Sequence, residues 1–134
     1  MTVSRHGFVI RLRPGKLDEY ERLHAAVDPE VLATITRCCI RNYSIFWKRL
    51  DDGRDYLFAS YEYVGSDLAA DLSRMAADPA TQRWWSHTAP LQEPLAERAQ
   101  GEWWAAMEEV FRFDGPATPR AGDVTTPAED RSRR

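Results

Sequence analysis

The 134-residue chain carries 18 Lys and Arg against 21 Asp and Glu, a net charge of -3, which offers no clustered positive surface and argues against nucleic acid as a partner. Its length suits one domain, and 43% hydrophobic with 29% charged residues describes a soluble globular protein. No apolar run approaches the roughly 20 residues of a membrane span and MTVSRHGF lacks a signal-peptide core, so no membrane is expected and the expected location is cytoplasmic.

Gly7 to Leu12, GFVIRL, is rich in β-formers and runs into the turn signal Arg13-Pro14-Gly15, which predicts a first strand. From Leu17 the apolar positions fall at helical spacing: Leu17, Tyr20, Leu23, His24 and Val27. Tyr20 and His24, four residues apart, share one face of that helix. An imidazole exchanges protons near neutral pH, and a phenol beside it hydrogen-bonds a hydroxylated ligand, so the pair is a minimal acid/base site as well as an ordinary packing pair. Asp28-Pro29-Glu30 interrupts the pattern and suits a new helix start, with a second piece from Pro29 to about Arg37.

Cys38 and Cys39 are adjacent, which prevents an ordinary loop-closing disulfide between them and predicts free thiols. Ile40 to Trp47 reads as strand two, with Tyr43, Ile45 and Trp47 facing one side and Asn42, Ser44 and Phe46 the other. Asp51-Asp52-Gly53 is a hairpin signal, and Tyr56 to Val64 forms strand three. Ser66 or Asp67 caps a helix that ends before Asp78-Pro79, and a further helix from about Pro79 to Ser86 carries Gln82-Arg83-Trp84-Trp85. APLQEPLAERAQGEWW reads as a long loop, Glu109 to Phe113 as the last strand, and the polar stretch 115–134 as a disordered tail after a domain spanning 1–114.

Strand, helix, strand, strand, helix, strand is the split βαβ order of the α+β ferredoxin-like fold, an antiparallel sheet with helices on one face. With Phe8, Ile10 and the strand aromatics, the uncovered face is expected to be too apolar for water, which predicts a homodimer packed through the sheet faces. The pairs Trp84-Trp85 and Trp103-Trp104 either line a wet pocket or split between core and surface. Apolar rings with polar groups at their edge suit a sugar. No phosphate loop, nucleotide fingerprint or metal-ligand spacing accompanies them, so neither a cofactor nor a metal is expected.

GFVIRLRPGKLDEYERLHAAV, IRNYSIF, DPATQRWW and MEEVFRFD, in this order and at these separations, resemble the L-rhamnose mutarotase family from Gly7 to Asp114. The resemblance implies a small dimeric α+β barrel that interconverts the α and β anomers of L-rhamnose, with His24 matching the proton donor and Tyr20, Tyr43, Trp84 and Trp85 the sugar-contacting positions. Members usually carry Trp-Pro-Glu where this chain has Asp28-Pro29-Glu30, so Asp28 either adds a charge to the pocket or caps a helix, and its sequence context favours the cap. Two alternatives stand beside this reading: a non-catalytic sugar-binding or regulatory module, and a monooxygenase-like enzyme on the same dimeric barrel.

Overall fold

The computed structural model describes residues 2–116. Its elements are β1 (Ser4–Leu12), α1 (Leu17–His24), α2 (Pro29–Arg37), β2 (Ile40–Arg49), β3 (Asp55–Tyr63), α3 (Leu68–Ala77), α4 (Pro79–Thr88), a 3-10 turn (Ala89–Leu91), β4 (Gln92–Glu93) and β5 (Ala105–Met107). All strand pairs are antiparallel, in the order β2-β3-β1-β4, with β5 also on β1. This is the expected α+β ferredoxin-like arrangement, with each of its helical connections built from two short helices.

Three aspartates start three of the helices. Asp28 accepts from the Glu30 amide at 2.8 Å, Asp67 from Ala70 at 3.1 Å and Asp78 from Thr81 at 2.9 Å, each satisfying an amide that the first helical turn leaves without a partner. Asp28 is therefore a helix cap. Asp78 also lies 3.1 Å from the Thr34 hydroxyl, which ties α4 to α2. The β2–β3 hairpin turns on Gly53, whose φ of 77° suits glycine, while Asp52 accepts from the Arg54 amide.

The register places Ile10 and Leu12 of β1 beside Leu57 and Asp55 of β3. Ile10, Leu12 and Leu57 pack with Tyr20 and Leu91 into the main core, and Leu17, Leu23, Ile45 and Trp104 close around it. A second cluster joins Ile40, Tyr61 and Tyr63 to Phe8, Ile35, Leu68 and Met75. Phe8 and Ile10 thus lie on the helix side of the sheet and not, as the sequence suggested, on its uncovered face. Side chains two apart share a face, and Leu12, which is fully buried, commits its whole set to the core. The other face carries Val9, Phe58 and Phe46 in register, with Phe46 exposed.

The last strand also differs from expectation. Pairing to β1 falls on Ala105–Met107, and 109–113 has no ladder partner among the described residues. Arg112 is tethered by a 2.8 Å bond to the Val3 carbonyl, yet Val110, Phe111 and Phe113 are 92%, 80% and 74% exposed. The alternating apolar pattern is present there, but nothing within the described chain covers it. The expected tail falls almost wholly at 117–134, outside the described residues.

Candidate active site

The proposed site begins on α1. Tyr20 and His24 stack with ring centroids 4.4 Å apart, as their four-residue spacing requires. His24 Nδ1 lies 2.9 Å from the Tyr20 carbonyl oxygen. A carbonyl only accepts, so Nδ1 carries the hydrogen and donates it there. That bond orients the imidazole and leaves Nε2 outside it. Helix α4 brings Trp84 edge-on to the same imidazole, with centroids 5.1 Å apart.

Tyr43 reaches this side of the sheet through an irregularity in β2. The β2–β3 register shifts between Arg41 and Ser44, where Asn42 adopts φ 53° and its side chain donates to Glu62 at 2.8 Å. Asparagine tolerates the left-handed region better than most residues. The bulge lets Ile40 and Tyr43, which strict alternation would place on opposite faces, both point toward the helices. The Tyr43 ring then packs 5.5 Å from Tyr61.

Burial acts on both phenols in the same direction. Burial holds the Tyr20 hydroxyl well above the usual phenol range, against a smaller opposing effect from the Gln92 hydrogen bond and with a small upward contribution from Tyr43. Although Tyr43 is 44% exposed as a residue, desolvation around its hydroxyl, helped by Tyr61, pushes it up to about 12. Both phenols, neutral at physiological pH with or without that shift, can donate a hydrogen bond. Among the described residues, no group of three His, Cys, Asp or Glu is placed to hold a metal ion.

Of the residues expected at the site, Tyr20, His24 and Trp84 touch directly, and Tyr43 lies near enough to influence Tyr20 electrostatically. Trp85 follows roughly 100° further round α4. It is 43% exposed and makes no aromatic contact with these residues in the described chain. The second tryptophan pair splits, with Trp104 packed against the main core and Trp103 donating from Nε1 to Gln92 at 2.8 Å. Gln92 in turn donates from Nε2 to the Tyr20 hydroxyl at 3.0 Å. Sequence reasoning missed Gln92, because it sits in a stretch without periodicity; the adjacent Trp pair was the available signal.

A stacked phenol and imidazole, two neutral hydroxyl donors and an indole wall suit proton transfer on a neutral hydroxylated ligand. Residues 5–113 match the family model for L-rhamnose mutarotase. The chain belongs to the L-rhamnose mutarotase family. The family's activity is an isomerisation, the interconversion of the two anomers of the sugar. An L-rhamnose mutarotase of Phocaeicola vulgatus is 34% identical over 84% of this chain and all of the relative. One from Burkholderia orbicola is 38% identical over 80% of this chain and 95% of the relative. The crystal structure of an L-rhamnose mutarotase from Formosa agariphila superposes with a TM-score of 0.63 at 22% identity, covering 83% of this chain and 99% of that one, and supports the fold.

Proposed function

We propose that this mutarotase-family chain interconverts the α and β anomers of L-rhamnose by acid/base-assisted ring opening, with His24 as the proton-transfer residue. The observation that carries the role of His24 is its Nδ1–H bond to the Tyr20 carbonyl. That bond persists whether or not Nε2 is protonated, so the ring stays in place while Nε2 gives or takes a proton. When the hemiacetal opens, the anomeric hydroxyl loses its proton, the C1–ring-oxygen bond breaks and the ring oxygen gains a proton. The aldehyde end then turns and the reverse steps close the ring on the other face of C1. In this reading His24 protonates the ring or anomeric oxygen, Tyr20 orients the sugar or relays a proton, Tyr43 binds a hydroxyl, and Trp84 with Trp85 packs against the ring and its deoxy methyl.

The test is α-to-β exchange measured by saturation-transfer NMR on L-rhamnose, with fucose, galactose and glucose as controls. Protein-dependent exchange strongest for rhamnose is expected. Exchange strongest for another sugar would overturn the substrate, and sugar binding without acceleration would turn the chain into a binding module.

We also propose a homodimer as the working form. The support is the placement of β2 at the sheet edge, where it is exposed along most of its length, together with the uncovered Val110, Phe111 and Phe113. An unpaired edge strand and exposed large apolar side chains are liabilities that a second copy removes. A monomer by light scattering at micromolar concentration would refute it. A cytoplasmic location accords with the two free cysteines.

A further inference from the structure

We propose that Gln92 is a positioning residue that makes the Tyr20 hydroxyl an obligatory donor toward the substrate; the inference rests on the mutarotase reading above. An indole N–H only donates. The 2.8 Å bond from Trp103 Nε1 therefore assigns the facing atom of Gln92 as its carbonyl oxygen Oε1. The amide nitrogen then faces Tyr20 at 3.0 Å, and an amide NH2 only donates. Tyr20 Oη consequently accepts in that bond, and its own hydrogen must go elsewhere. Among the described residues it makes no other hydrogen bond.

The chain of donors runs one way, Trp103 to Gln92 to Tyr20, and its free end is the phenol hydrogen. Its middle is rigid: Gln92 is buried, pairs with Leu12 in the sheet, and follows Leu91, whose carbonyl accepts from the Arg13 amide at 2.8 Å. Tyr20 is itself buried in the main core and stacked on His24. A phenol held this way recognises an oxygen able to accept, and it does so beside the imidazole. The pyranose ring oxygen, which has no hydrogen of its own, is the sugar atom best matched to an obligatory donor. Tyr20 thereby offers its hydrogen to the sugar, where a freely rotating phenol could turn it back toward Gln92.

The test compares Gln92→Leu and Trp103→Phe, each with and without Tyr20→Phe, for exchange rate at saturating sugar and for thermal melting. Gln92→Leu is expected to lower the saturated rate about tenfold to a hundredfold, the scale of a misplaced catalytic contact. Trp103→Phe keeps Gln92 but frees its amide to flip, so a smaller loss in the same direction is expected, and this half-exposed position keeps the test usable if Gln92→Leu fails to fold. In the Tyr20→Phe background both losses should vanish, because Gln92 acts through that hydroxyl. A wild-type rate in a folded Gln92→Leu, or losses that add to that of Tyr20→Phe, would overturn the proposal.

Raman difference spectra against the matching Tyr20→Phe protein report the hydrogen-bond state of Tyr20 without any turnover. The sugar-free wild type should show an accepting phenol, and Trp103→Phe should shift it toward donation. A Tyr20 that does not accept a hydrogen bond in the sugar-free wild type would refute the inference. Wild-type protein inert toward every sugar would refute the mutarotase reading, and the spectra would still decide the placement of the hydrogen.

Discussion

The α1 wall of the site and the outer end of the sheet are built on opposite terms. Around Tyr20 and His24 the chain completes its own contacts: the imidazole is bonded to the backbone of its own helix, the phenol is held by Gln92, and Gln92 is held by Trp103. Along β2 and 109–113 the chain leaves aromatic side chains and backbone edges uncovered. The proposed acid/base groups need fixed geometry before substrate arrives, which contacts within one chain can supply. An exposed edge strand is a liability that the proposed second copy would cover.

That contrast can be broken most severely at His24. Replacing it with Ala should lower anomer exchange by about 10² to 10⁴-fold, the usual worth of a positioned acid or base, while melting temperature and oligomeric state stay as in wild type. Retained exchange measured by NMR would remove His24 from the mechanism.

The open region is next. Phe111→Asp with Phe113→Asp should cost the proposed dimer about 2 kcal/mol or more per buried anchor, read as a shift toward monomer in analytical ultracentrifugation. Because Tyr20, His24 and Gln92 lie within one chain, the monomeric variant should keep the Tyr20 Raman signature. An unchanged dimer would show that 109–113 is not part of the interface.

Asp55, buried at the start of β3, accepts from Arg49 Nε at 2.8 Å and from Trp47 Nε1 at 3.0 Å. The Arg49 bond is the largest influence holding its carboxyl below the usual range, opposed by burial and aided by Trp47. With the folded pKa depressed, the native state binds fewer protons than the unfolded chain. The stabilisation is complete above the unfolded carboxylate value, about 4, and is lost as pH falls through the folded value. Asp55→Asn should thus melt lower than wild type at neutral pH, with the gap closing in acid; a gap independent of pH would refute the ion-pair account.

The smallest expected effect is at Asp28. Loss of its cap in Asp28→Ala should cost about 0.5 to 2 kcal/mol, measured by urea titration, with sugar preference unchanged. A changed preference would return Asp28 to the pocket.

Much of this organisation was legible along the chain because it depends on near neighbours. The Asp28 cap, the choice of Ser66 or Asp67 as the next, the Asp-Gly hairpin and the Tyr20/His24 stack each rest on residues two to four apart. Trp84 was legible as a candidate but not as a partner, since its contact with His24 spans two helices. The long loop concealed β5: its three residues Ala105–Met107 are too few for a periodic signal, whereas the stronger alternation at 109–113 finds no partner strand within the described chain.

The sequence by itself determined the element order as far as α4, the helix starts, the family and the pairing of phenol with imidazole, because these follow from local periodicity, capping chemistry and fixed helical spacing. Only the tertiary structure decided which sheet face enters the core, that a bulge at Asn42 turns Tyr43 toward the helices, and that Gln92, 72 positions beyond Tyr20, sets the direction of its hydrogen bond. Those outcomes depend on register and on contacts between distant segments, and a one-residue shift would have reversed each face without altering any local pattern.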